Sequence, residues 1–390
     1  MAMHSVKYLS RLHWKSIVIG VKNPGRGGID DSALPDIPRD TIVYRTHTFE
    51  NPLTQGLSRL QFLPDSKIGW YSYGLREARK AIQKHSPDII VSRSTPITSH
   101  LIALQLKRET KLPWIACFSD PWVSNPYAMY HLPFLKHFQE QKEKVIFAEA
   151  DKIVVTNEQT RRLFSSIYPI DGKIEVIYNS YDSETMSRNI DFKRKEKFVL
   201  THTGNFYGIR SPEPLFRALE KLIDRQEIRT SIRVQLFGSL GPFKKLISRY
   251  GLSSIVDVKG TVPRKEALWR LMASDVLLVI DAPSKGESLF LPSKLVDYIA
   301  LGKPILAITP GGASADVIEK TKTGMIASPE DTKSIQEALL AYFNKWRAGH
   351  LLLNPNWEEI QKYSASVLME RFAKIMEDTI EKYYHEKYVR

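Results

Sequence analysis

The sequence holds one cysteine, Cys117, so no intrachain disulfide can form, as suits a reducing compartment. No apolar run approaches the about 20 residues that cross a bilayer. The opening MAMHSVKYLSRLHW has no apolar core of signal-peptide length, and a cytoplasmic protein is expected. There is no Asp-x-Asp pair to hold a divalent ion between carboxylates, so neither metal nor cofactor is expected. Zinc-finger spacing, an RNP-like aromatic motif and a Lys/Arg-rich tail are all missing, which argues against nucleic acid as a partner. Internal repeats and low-complexity tracts are missing too.

What the chain has is length and positive charge. Its 390 residues exceed one ordinary core, and a hydrophobic share of 43% describes a globular protein of two or three domains. The formal net charge is +13, and residues 1–100 carry 14 Lys and Arg against 8 Asp and Glu. Such a surplus attracts nucleic acid, anionic lipid or phosphorylated small molecules; a generally solvated basic surface is the plain reading, and a peripheral contact of the first domain with the inner face of a membrane is the other.

Short apolar runs rich in Ile and Val alternate with helical patterns. SIVIGV (16–21), TIVYR (41–45), DIIVS (88–92), PWIACF (113–118), DKIVVT (151–156) and KIEVIYN (173–179) read as strands of a buried parallel sheet. Helices are expected at Tyr73–Lys84, Thr98–Glu109 and Leu135–Glu149. The polar segment 181–197 reads as a linker, after which the alternation resumes. Strands are expected at 198–204, 231–238, 254–260, 275–281, 304–309 and 324–328. Helices follow at Pro212–Arg225, Pro242–Tyr250, Arg264–Ala273, Ser293–Leu301 and Thr332–Trp346, with a terminal helix over Trp357–Tyr384. The organisation is α/β, with two facing doubly wound domains over 1–185 and 195–350 and the helix 357–384 packing back on the first. Ligands of such sheets bind outside the carboxyl ends of the strands.

Two segments of the second half carry chemistry. In THTGNFYGIRSPEPLFRAL (201–219), Gly204 and Gly208 permit close approach of a ligand, and Ser211-Pro212 open a helix. Arg210 stands just before that helix, where guanidinium and amides can hold an anion together; a plain tight turn is the other reading. In SLFLPSKLVDYIALGKPILA (288–307), Ser293 starts a helix and Lys294 adds a charge at its amino end. Asp297 follows on nearly the same face, within reach of a ribose diol; a capped surface helix is the alternative.

Taken in order, FLPDSKIGWY (62–71), SDPWVSNPY (119–127), ADKIVVTNE (150–158), VIYNSYD (176–182), HTGNFYG (202–208), FGS (237–239), KGTVPRKEAL (259–268), ASDVLLV (273–279) and FLPSKLVDYIALGKPILA (290–307) resemble the retaining glycosyltransferases of family four. The resembling subgroup has a DPW motif and a PSK-x-x-[DE]-Y helix. The resemblance covers nearly the whole chain and implies a GT-B fold of two Rossmann-like domains, with 364–380 as the crossover helix. It implies transfer from a nucleotide-diphosphate sugar to a glycan or lipid-linked acceptor, in cell-surface polysaccharide synthesis. Arg210 and Lys294 would neutralise the diphosphate, Gly204, Asn205 and Ser293 would line the donor site, and Asp297 would take the ribose. Gly238-Ser239 and Thr261-Val262-Pro263 would hold the base. Family members often carry two glutamates eight positions apart, but Leu289 stands eight before Asp297, and Glu287 is the nearest upstream acid.

In the first half, Asp120 emerges after strand 113–118 and is the candidate base or orienter of the acceptor hydroxyl. A basic residue usually precedes it in the subgroup; here Ser119 does. Arg93 and Trp122 are further candidates for sugar contacts, and a structural aspartate with a packed tryptophan is the alternative. The chain opens in what resembles the family's first helix, at 4–12, so the family's first strand is expected to be missing. Two rival functions remain: a sugar-nucleotide epimerase, an enzyme of another class on the same fold, and a non-catalytic binding or partner subunit, which the missing strand and Ser119 suggest.

Overall fold

The computed structural model describes residues 2–22, 31–128, 130, 132–170, 172–186, 196–284, 286–351 and 353–389. It divides into two compact units: Met1–Ile29 with Ala33–Tyr178 and Ser366–Arg390, and Asp30–Ser32 with Asn179–Ala365. The changeover falls ahead of the expected boundary at 185.

The first unit holds α1 (Ala2–Arg11), β1 (Ile17–Val21), β2 (Ile42–Thr46), α2 (Pro52–Arg59), α3 (Tyr71–His85), β3 (Ile90–Arg93), α4 (Thr98–Thr110), β4 (Trp114–Phe118), α5 (Pro133–Glu149), β5 (Lys152–Val155), α6 (Glu158–Ile167) and β6 (Ile174–Val176). All pairings are parallel, but they form two ladders, β1-β2 and β3-β4-β5-β6, where one sheet was expected. Side chains join the two: Ile19 and Val21 of β1 and Ile90 of β3 pack on one cluster with Trp70, Leu75 and Ile102. Every residue of β4 is buried, as its unbroken apolar run requires and as suits one of the two inner strands of its ladder.

The second unit holds β7 (Phe198–Thr203), α7 (Glu213–Leu222), α8 (Gln226–Ser231), β8 (Ile232–Phe237), α9 (Leu246–Arg249), β9 (Val256–Gly260), α10 (Arg264–Met272), β10 (Val276–Ile280), α11 (Ser293–Ala300), β11 (Ile305–Ile308), α12 (Ala313–Thr321), β12 (Gly324–Ala327), α13 (Thr332–Arg347) and α14 (Trp357–Gln361). Its six parallel strands run β9-β8-β7-β10-β11-β12. Counted from β7, that is the doubly wound order 3-2-1-4-5-6, whose direction reverses between β7 and β10. The carboxyl ends of those two strands are therefore where a ligand is expected.

Three readings are corrected. The stretch assigned to a linker starts inside the second unit: Tyr181, Asp182 and Met186 are buried, and residues 187–195 lie outside the described ones. The helix expected over Trp357–Tyr384 is two helices, α14 and α15 (Ala365–Val389). Between them the backbone pairs with Tyr181, whose N–H donates to Tyr363 O and whose carbonyl accepts from Ala365 N, which draws it out of helical geometry. The helix expected over Pro242–Tyr250 is a 3₁₀ turn, Gly241–Lys245, followed by the single turn of α9. Helices α2, α6, α8 and α12 went unread. Among the described residues no helix is long and apolar enough to cross a membrane.

Candidate functional site

The carboxyl end of β7 meets the amino end of α11. Helix α11 buries Leu295, Val296, Tyr298 and Ile299 in the second unit, which leaves Ser293, Lys294 and Asp297 along its outer edge. Inside, the Tyr298 hydroxyl accepts from Thr203 N at 3.0 Å, tying the helix to the strand end. No side chain caps α11, so its first amides and dipole face outward with Lys294.

Lys294 sits where a side chain on residue 204 would have been. A Cβ added to Gly204 would lie 2.8 Å from Lys294 Nζ, and Gly204 has φ +132, which L residues rarely adopt. The ammonium approaches His202 Nε2 at 3.1 Å, while His202 Nδ1 lies 2.9 Å from the Leu278 carbonyl. That carbonyl needs a donor, which assigns the imidazole proton to Nδ1 and leaves Nε2 to accept from Lys294. Burial, then the neighbouring Lys294, holds the His202 pKa well below the usual imidazole range. Burial and the nearby Arg210 also bring Lys294 down to about 7, against the pull of Asp281.

Arg210 arrives from the loop after β7. Its N–H bonds Tyr207 O across a tight turn in which Gly208 has φ +57, and Ser211 Oγ then accepts from Glu213 N to open α7. The guanidinium lies 3.7 Å from Asp281, at the carboxyl end of β10. Two cations from two helix starts thus sit at the point where the strand order reverses. This is a ready site for a diphosphate.

The surrounding loops close on one another. A Cβ on Gly238 would meet Gly204 O at 2.4 Å, and its φ is +114. Asn205 Oδ1 accepts from Ser239 N at 2.8 Å, and Gly238 N donates to Gly260 O at 2.6 Å. The exposed Thr261 and Pro263 and the half-buried Val262 continue from Gly260 into α10. There Arg264 donates to Asp297 Oδ1 at 3.0 Å, returning the circuit to α11. Burial pushes the Asp297 carboxyl up to about 6, with Arg264 opposing. Gly204, Asn205, Gly238, Ser239, Lys294 and Asp297 are therefore brought together. Glu287 is exposed on the β10–α11 loop beside Ser288, whose N–H donates to Gly311 O at 2.7 Å.

In the first unit Ser119 and Asp120 are exposed at the end of β4. Ser119 Oγ donates to Ser94 O at 2.7 Å, and Ser119 O accepts from Thr156 Oγ1 at 2.8 Å, so this serine fastens three strand ends together. Trp122 is 7% exposed and its ring packs in the core. The loop is anchored by the buried Glu143, which accepts from Val123 N at 3.2 Å and from the Tyr168 hydroxyl. Arg93 is spoken for: it donates to Ser5 Oγ at 2.9 Å and lies over the Phe372 ring.

Sequence reading missed His202, Arg264 and Asp281. His202 had a signal, a polar residue inside the buried strand FVLTHT, and Asp281 had another, an acid ending the run VLLVI. Arg264 is one basic residue among many, and nothing marks it. Among the described residues no group of three or more His, Cys, Asp or Glu could hold a metal ion.

Residues 33–185 match the family model described as Glycosyltransferase Family 4, and residues 197–345 match Glycosyl transferases group 1. Both halves of the chain thus match glycosyltransferase domains, the first of family 4 and the second of group 1. Two curated relatives, the D-inositol 3-phosphate glycosyltransferases of Kribbella flavida and Nocardia farcinica, are 25% and 26% identical over 51% and 52% of this chain. The matches cover 50% and 47% of those proteins, so the chain spans about half the length of the curated relatives it matches. Among solved structures, sucrose-phosphate synthase from Thermosynechococcus elongatus superposes with a TM-score of 0.74 at 16% identity, over 97% of this chain and 92% of that one. A glycosyltransferase from Rickettsia africae gives 0.67 at 16%, over 97% and 93%. Anabaena HepE in complex with UDP-glucose gives 0.63 at 14%, over 93% and 99%. These likenesses establish the fold as GT-B.

Two outcomes are expected. Lys294 carries its charge below about pH 7 and loses it above, so the pocket is doubly cationic only on the acid side. Affinity for inorganic pyrophosphate measured by calorimetry should therefore fall as pH rises from 7 to 9, by up to about tenfold per unit. Gly204→Ala should displace Lys294 and weaken pyrophosphate binding by at least about tenfold while the far-ultraviolet circular dichroism stays that of wild type.

Proposed function

We propose that the chain moves a sugar from a nucleoside-diphosphate sugar to a hydroxyl of a glycan or lipid-linked acceptor, with retention of anomeric configuration and without a metal ion. The carrying observation is the pair Arg210 and Lys294 at the reversal point of the second sheet, with Asp297 one helical turn further on. Charge that develops on the departing diphosphate meets a fixed guanidinium, an ammonium and helix amides, which is stabilisation aimed at the transition state. Asp297 takes the ribose hydroxyls, and Arg264 holds one of its oxygens in place. Gly238-Ser239 and Thr261-Val262-Pro263 border the base. Glu287, on the loop that leads into α11, supplies a contact to the sugar. Support comes from HepE, which was solved with UDP and with UDP-glucose, and from curated relatives named as glycosyltransferases.

Asp120, exposed on the first unit, is the base or orienter for the acceptor hydroxyl. Ser119 serves as its scaffold rather than as a cationic neighbour, and Arg93 supports α1 and α15. The role belongs to the cytoplasmic side of a membrane and to surface-polysaccharide synthesis. Exposed Leu53, Phe134 and Phe138 in the first unit favour a lipid surface, with Lys142 Nζ 4.1 Å from the Phe138 ring centroid.

A thermal-shift screen of nucleotide sugars picks the donor, and product anomers read by proton NMR test retention. Lys294→Ala should cut turnover by about 10² or more with the fold intact, since it removes a charge bound most tightly in the transition state. Unchanged turnover refutes the assignment, and nucleotide binding without any turnover favours a binding subunit. Vesicles containing phosphatidylglycerol should float the protein at low salt and release it at high salt. No flotation at low salt removes the membrane contact.

A further inference from the structure

The pocket contains one negative charge whose place is not explained by ligand binding. Asp281 follows β10 directly, with a side chain only 1% exposed. Its Oδ2 accepts two hydroxyls, Ser314 Oγ at 2.7 Å and Thr309 Oγ1 at 3.0 Å. Thr309 follows β11 and Ser314 is the second residue of α12, so the carboxylate is fixed from two other elements. Oδ1 has no hydrogen-bond partner and faces Arg210 Nη2 at 3.7 Å. Arg210 is itself 12% exposed, and its Nε is buried without an acceptor.

An aspartate serving only the fold would have both oxygens satisfied. A pair meant to be permanent would close to about 2.8 Å and use up guanidinium donors. At 3.7 Å the carboxylate attracts Arg210 without consuming its N–H groups. We propose that Asp281 is a positioning residue of the donor site: clamped by Thr309 and Ser314, it holds Arg210 beside Lys294 and offsets the mutual repulsion of the two cations until a diphosphate replaces it as counterion. The inference rests on the nucleotide-sugar reading above.

The charged and titratable groups that face Lys294 are Arg210, Asp281 and the neutral His202. Arg210 disfavours the ammonium and Asp281 favours it. Loss of the carboxylate must then move Lys294 deprotonation to lower pH. UDP affinity is measured from pH 6 to 9 for wild type, Asp281→Asn, Asp281→Glu and Ser314→Ala. The expected result is a fall in affinity that begins about one pH unit earlier in Asp281→Asn and returns toward the wild-type midpoint in Asp281→Glu. Ser314→Ala, which keeps the charge but loosens the clamp, should shift the midpoint in the same direction by less, and it stands in should Asp281→Asn fail to fold. A lowered melting temperature with weakened binding at every pH and an unmoved midpoint would overturn the proposal. Wild type that binds no UDP at any pH sinks the donor reading itself, a different outcome from an unmoved midpoint.

Discussion

An ammonium lying over a glycine is the constraint on which the second unit depends. Lys294 Nζ lies 2.8 Å from where a Cβ on residue 204 would stand, and there it meets His202 Nε2, the ring nitrogen left to accept. The same glycine needs Gly238 to lie flat against its carbonyl, and Gly238 in turn bonds Gly260. Three loops from three neighbouring strands are thus locked by one requirement, close approach of backbone to backbone. A bound anion would find the lysine already placed and pay little to order it.

Electrostatics makes this arrangement costly without a ligand. Two cations share a half-buried corner with one carboxylate, and burial with Arg210 holds Lys294 near the middle of the physiological range. Sites tuned in this way are commonly functional, because the strain is relieved by the charge they are built to bind. The first unit differs in kind. Ser119, Ser94 and Thr156 stitch strand ends, Glu143 fixes the following loop, and Asp120 is exposed at the end of β4.

The sequence reveals what repeats and hides what touches. The twelve strands among the described residues are legible because buried parallel strands are unbroken apolar runs such as PWIACF and DVLLVID. Short helices such as α2, none of whose residues is buried, have no apolar face deep enough to read. The break between α14 and α15 was invisible because its cause, pairing with Tyr181, lies far away in the chain. At the site, Gly204, Arg210 and Lys294 stood out by their place in strand-to-helix turns. Asp281 and Arg264 act through side chains distant in sequence, so spacing could not find them. Trp122 and Arg93 looked like ligand contacts because of where they follow strands, and only packing shows the one in the core and the other bound to α1 and α15.

The central claim is that Arg210 and Lys294 grip a diphosphate at the reversal point of the second sheet. A crystal structure with UDP bound tests it most directly. The account predicts the β-phosphate within hydrogen-bond distance of Lys294 Nζ and the Arg210 guanidinium, with the ribose on Asp297. Diphosphate density anywhere else, with Lys294 still resting on His202, would contradict it.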